Sequence, residues 1–173
     1  QIFIGMRLNN IYDGNNYRTY HFKFTDTNIK KFMFVEAANK IYSYSNDFEL
    51  SRQMPSSFCS KLRKHLKNKR LNQLYQLNSD RVIILKFGNE EYTNYLIIEL
   101  YSSGNIIITD NEFNIIHMLR KHIYDENNKT SYPINNTDKI LDIDNEMIIK
   151  CFNNEYNINL EQSIKNNKYL KNL

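Results

Sequence analysis

The sequence predicts an α+β domain: an antiparallel β-sandwich with one inserted basic helix, followed by short C-terminal helices. Three observations predict it. Short apolar runs, several with period-two alternation, recur from Ile2 to Leu119 between Gly, Asn and Asp turn residues. Met54 to Leu71 interrupts them with a proline, helical apolar spacing and concentrated positive charge. Beyond Tyr132-Pro133 the apolar period becomes helical again.

Taken in order, Met6-Arg7-Leu8 leads to Ile11-Tyr12, and Asp13-Gly14-Asn15 makes a turn. Tyr20, Phe22 and Phe24 then alternate with His21 and Lys23, which predicts a strand with one buried aromatic face. Phe32 to Val35 and Ile41 to Tyr44 are the next two strands, so this part reads as a meander. The helix follows. Pro55 suits its beginning, and Ser56 or Ser57 can cap its first amides. Phe58, Leu62, His65 and Leu66 fall on one face, while Arg63, Lys64, Lys67 and Arg70 spread over the other. Strands resume at Asn72–Leu77, Arg81–Phe87, Tyr95–Tyr101, Ile106–Thr109 and Ile115–Leu119, with turns at Gly88-Asn89 and Ser103-Gly104-Asn105. The unbroken apolar run Leu96-Ile97-Ile98 suits a central strand covered on both faces. The expected total is eight or nine strands and one long helix.

In the tail, Ile143, Met147, Ile148 and Phe152 have helical spacing, started by Asp142 or Asp144. Asn159 and Gln162 resemble a capping box for a helix reaching Leu170. The expected division is a β-rich domain over 1–132 and the start of a helical region over 133–173. A chain that opens on Gln1 with apolar sequence is expected to be a piece of a longer protein.

Net charge is only +4, so the basic segment is a local concentration within a mildly basic molecule. Between Lys61 and Arg70 six positions are cationic (Lys61, Arg63, Lys64, Lys67, Lys69, Arg70) and none is acidic. Such a stripe, anchored by an apolar face, suits the neutralisation of phosphates; a merely solvated face is the plainer alternative. Cys59 and Cys151 have no CxxC partner and read as free thiols of a reducing compartment. No apolar run is long enough to span a bilayer, and no signal peptide is visible.

The four histidines (21, 65, 117, 122) show no metal-ligand spacing. His65 is expected on the apolar helix flank and His117 within a strand. P-loop, GxGxxG and GxSxG patterns are absent from the sequence, and capping explains Ser56 and Ser57 better than nucleophilic chemistry. No cofactor is implied. Asp80-Arg81 stands out, poised between Leu77 and Val82-Ile83-Ile84-Leu85. It reads either as a turn acid with an edge arginine or as a rigidly held carboxylate and guanidinium for a ligand. Tyr75 and Tyr101 are candidate stacking partners for bases, with core positions as the alternative.

Four segments carry a further signal: IGMRLNNIYD (Ile4 to Asp13), MPSSFCSKLRKHLKNKRL (Met54 to Leu71), QLNSDRVIILKFG (Gln76 to Gly88) and YLIIELYSSGNIIITD (Tyr95 to Asp110). In this order and spacing they resemble the N-terminal domain of the NFACT family, in its eukaryotic NEMF-type branch. The family includes bacterial RqcH and proteins long labelled fibronectin-binding protein A. The resemblance implies a fold similar to the N-terminal domain of Fpg/Nei-type DNA glycosylases, with a helix-hairpin-helix region after it. It also implies a cytoplasmic factor of ribosome-associated quality control. Such a factor binds large ribosomal subunits with stalled, tRNA-linked nascent chains, recruits tRNA for C-terminal tailing and, in eukaryotes, helps recruit an E3 ubiquitin ligase. By position, Asp80 and Arg81 match the family's Asp-Arg pair implicated in tRNA handling. The family's acidic residue lies in an N-terminal segment that is expected to precede Gln1, so this piece would lack that member of the constellation. The glycosylases' N-terminal proline and following glutamate are also missing, so no enzymatic activity is expected. The alternatives are a fibronectin-binding adhesin and a glycosylase-like nucleic-acid enzyme.

Overall fold

The computed structural model describes residues 2–45, 54–77, 80–124, 130–134 and 140–141. β1 (Arg7–Asp13), β2 (Thr19–Asp26), β3 (Ile29–Glu36) and β4 (Lys40–Tyr44) form an antiparallel meander in that spatial order. Alternation decides what each face carries. Tyr20, Phe22, Phe24, Met33 and Val35 are buried on the inner face. On the outer face the cross-strand rows are His21–Phe34–Tyr42 and Lys23–Phe32–Tyr44. The Phe34 and Tyr42 rings stack at 4.9 Å, and the Lys23 ammonium lies 5.7 Å from the centre of Phe32.

The second sheet has six antiparallel strands, in the order β10-β5-β6-β7-β8-β9. They are β5 (Leu71–Leu77), β6 (Val82–Phe87), β7 (Asn94–Glu99), β8 (Asn105–Thr109), β9 (Ile115–Met118) and the short β10 (Ile140–Leu141). Its two faces belong to different clusters. Leu85, Phe87, Leu96, Ile98, Ile106 and Ile108 join the inner residues of the first sheet in the main core. Ile84, Ile97 and Ile107 face the other way, with Tyr75, Leu77, Val82 and Tyr132. The expectation that Leu96-Ile97-Ile98 is covered on both faces is therefore met. Phe24 of β2 stacks on Phe87 of β6 at 6.3 Å, which joins the sheets. At one rim the Ala38 amide donates to the Glu99 carbonyl, and Gly104 lies so close that a Cβ there would meet the Ala38 nitrogen at 2.1 Å.

α1 (Ser57–Leu66) packs on β1, burying Cys59, Leu62 and Leu66 in the main core. Ser56 is its N-cap: the hydroxyl accepts from the Cys59 amide at 3.1 Å. The Asp13 carboxylate in turn accepts from the Ser56 amide at 2.8 Å and its hydroxyl at 2.6 Å.

Two expectations are corrected. The helix is ten residues rather than long, so Lys67, Lys69 and Arg70 are not on it. Asn68 takes a left-handed conformation, φ 68°, beyond the C-cap Lys67. From there β1 claims the backbone: Asn68 donates to Leu8, Leu8 accepts the strand by donating to Lys69, and Leu71 donates to Met6. Among the described residues the strands also number ten rather than eight or nine, because Ile140–Leu141 adds a short strand beside β5. The chain divides into two compact units, Gln1–Leu141 and Asp142–Leu173. The helices expected from Ile143 to Leu170, and Cys151, lie outside the described residues.

Candidate nucleic-acid interface

The six cations of the basic segment divide into two groups. Lys61 and Lys64 on α1, and Lys67 at its C-cap, are exposed. The other three are tied to backbone oxygens. Arg63 Nε donates to the Ile11 carbonyl at 2.7 Å, and its guanidinium lies 5.6 Å from the centre of the Tyr12 ring. Lys69 Nζ donates at 2.6 Å to both the Tyr92 carbonyl and Asn94 Oδ1, and burial lowers its pKa. Arg70 reaches the Gly5 carbonyl at 2.5 Å while remaining exposed. A guanidinium or ammonium that holds a loop carbonyl is less available to a phosphate than one in solvent. The surface cations are therefore Lys61, Lys64 and Lys67, with Arg70 beside them in the chain.

Asp80 and Arg81 are both exposed, in the connection that leads into β6. Backbone bonds fix this turn: Asp80 donates to the Leu77 carbonyl at 3.0 Å, and Leu100 donates to the Arg81 carbonyl at 2.8 Å. The Asp80 carboxylate accepts from the Arg81 backbone amide at 2.7 Å, and Gln76 Nε2 donates to the Asp80 carbonyl at 2.6 Å. Asp80 thus orders the backbone on which Arg81 is presented. Lys69 and Arg70 precede β5 and Asp80 follows it, so a seven-residue strand, roughly 20 Å long at about 3.3 Å per residue, separates them. They are two stations on the surface rather than one constellation.

Of the two candidate stacking residues, Tyr75 is buried, its phenol pushed up to about 12 by burial and then by Tyr95. It is a core residue, because β5 turns it into the second cluster. Tyr101 is half-buried, and its phenol donates to Glu99 Oε1 at 3.3 Å.

Glu99 itself escaped the sequence reading. It is 3% exposed and accepts from three phenols: Tyr101 at 3.3 Å, Tyr124 at 3.2 Å and Tyr132 at 3.1 Å. The partners lie up to 33 residues away, so only the fold reveals the cluster. The second omission is the run His117-Met118-Leu119-Arg120-Lys121-His122, a basic stretch without an acid. The fold brings His117 edge-on to His65 at 5.5 Å between ring centres. Among the described residues no group of three or more His, Cys, Asp or Glu side chains has the arrangement of a metal site.

The model of the NFACT N-terminal and middle domains matches residues 2–133. This chain belongs to the NFACT family. The NFACT chain is 35% identical over 165 residues to the ribosome quality control complex subunit NEMF homolog of Drosophila melanogaster, covering 91% of this chain and 16% of that protein. It is 42% identical over 118 residues to NEMF of Homo sapiens, covering 68% of this chain and 11% of that protein. Ribosome quality control complex subunit 2 of Schizosaccharomyces pombe is 33% identical over 129 residues, covering 71% of this chain and 12% of that protein. The chain is an NFACT N-terminal domain of the NEMF type and spans about a sixth or less of these relatives. Among solved structures, the N-terminal domain of the fibronectin-binding protein PavA from Streptococcus pneumoniae superposes with a TM-score of 0.61. It has 19% identity and covers 92% of this chain and 66% of that one. At that identity the likeness concerns the fold, an α+β arrangement built mainly of antiparallel sheets.

Proposed function

We propose that this domain is an RNA-binding module acting in ribosome quality control, docking tRNA and the large ribosomal subunit with its stalled nascent chain. The observation that carries the reading is the exposed row Lys61, Lys64 and Lys67 on an anchored helix, in a segment without an acid. Relatives named as ribosome quality control subunits supply the process. In this reading the domain binds and positions, and performs no catalysis of its own. The Asp80–Arg81 turn presents one guanidinium to tRNA at a second station, while recruitment of an E3 ubiquitin ligase belongs to the full-length protein. The setting is cytoplasmic. Among the described residues no helix is long and apolar enough to cross a membrane. The Fpg/Nei-type architecture belongs to this proposal as a β scaffold turned toward nucleic acid.

The test is tRNA binding followed against salt. The parent should lose affinity steeply with rising salt. Lys61→Glu, Lys64→Glu and Lys67→Glu together should cost more than about tenfold and flatten the salt slope by roughly two to three. Equal binding by parent and triple variant would remove the helix from the contact surface. Arg81→Ala should weaken tRNA recruitment by the full-length protein without altering its folding. A loss of folding instead would make the pair structural.

A further inference from the structure

A cleft of about 430 Å³ opens between α1 and the β9 edge of the second sheet, within the size range of ligand sites. Its apolar floor includes Ile116 and Met118, and its polar lining includes Lys61 from α1 and His117, Lys121 and His122 from β9 and the segment after it. Lys64 and His65 add to this group from the helix: Lys64 acts on His117 through its charge, and His65 touches its ring. Three of these groups, His117, Lys121 and His122, are 52 or more residues away in sequence from the helix residues beside them. Among the described residues lining the cleft, none is Asp or Glu.

Convergence of cations without a counter-charge is unfavourable, and the histidines register it. Burial first, then Lys61 and Lys64, hold His117 below its ordinary pKa. Burial first, then His117, Lys64 and Lys69, do the same to His65. His65 Nε2 is buried without a hydrogen-bond partner. The strand facing His117, β8, presents apolar Ile108 across the ladder and supplies no charge at that rung. An anion in the cleft offsets the cationic repulsion that adds to burial. It offers acceptors to Lys61, Lys121 and the imidazole N–H, and its charge favours the protonated ring.

We infer that the cleft between α1 and β9 is a phosphodiester-binding subsite, with Lys61 and Lys121 as its cationic walls and His117 as a proton-coupled donor. The choice of an RNA phosphate as the natural anion rests on the function proposed above. The cationic cleft itself does not. The exposed Lys64 is near enough to act on His117 through its charge, which links the helix cations to the cleft.

Four histidines permit a direct test by NMR of the ring-labelled protein. Inorganic phosphate at millimolar concentration should raise the His117 pKa by about half a unit or more and leave His21, on the first sheet, unmoved. Lys121→Ala, an exposed change, should abolish that response. In parallel, RNA affinity should rise severalfold from pH 7.5 to 6.0 in the parent and much less in His117→Gln, with circular dichroism confirming the fold. RNA binding with a His117 silent to phosphate would sink the subsite and spare the proposed function. A phosphate response at His117 without RNA binding would do the reverse. Equal shifts of all four histidines would mean diffuse screening, and the subsite would fall.

Discussion

Glu99 shows what a single residue can fix. A carboxylate that is 3% exposed keeps its charge tolerable only by accepting several hydrogen bonds, and three phenols supply them. Burial first and the Glu99 charge next push the Tyr124 and Tyr132 phenols upward, so they remain protonated donors. The cluster ties the end of β7 to two later loops through Tyr124 and Tyr132. Glu99→Gln keeps the shape but replaces one acceptor oxygen with an amide that faces a donor. It should cost about 2 kcal/mol, seen as a lower urea midpoint with an unchanged slope. Cys59 offers a second check. Burial, then the nearby Asp13 charge, pushes its thiol up to about 12. Alkylation by iodoacetamide at pH 8 should therefore be slow in the native protein and rapid in urea.

At the scale of elements, the basic segment combines two kinds of cation that its sequence presents as one. Lys69 clamps Tyr92 and Asn94, whereas Lys67 stands in solvent. Lys69→Ala should lower stability by about 1 kcal/mol, because two acceptors lose a charged donor, while Lys67→Ala should stay within about 0.5 kcal/mol of the parent. Denaturant midpoints measure both, and tRNA affinity should respond in the opposite order. The local signals were legible: alternation gave Tyr20, Phe22 and Phe24 their face, and Ser56 announced the start of α1. The stop was not. The helix ends at Leu66 because β1 pairs with the following backbone, a contact between residues about 60 apart that no local pattern contains. The cleft was hidden for the same reason, since Lys61 and His117 become neighbours only when α1 and β9 lie side by side.

The whole molecule couples its charge to its fold through three histidines. Burial lowers the pKa of His21, which shares a hydrogen bond with the Tyr44 hydroxyl at 2.8 Å, and of His65 and His117, where neighbouring cations add to the effect. In the unfolded chain each ring takes a proton near pH 6.5. In the folded chain each resists until lower pH, so through that window the unfolded state holds more protons. Stability is then full above about pH 6.5 and declines as pH falls toward the folded values. Ordinary carboxylates titrate near 4 and contribute little to that decline. The urea midpoint should therefore drop between pH 7.5 and 5.5, and His65→Gln with His117→Gln should flatten the drop. Phosphate present throughout should also flatten it, because an anion in the cleft favours the protonated rings of the native state. A midpoint constant across that range would show that the histidines are not held neutral by the fold.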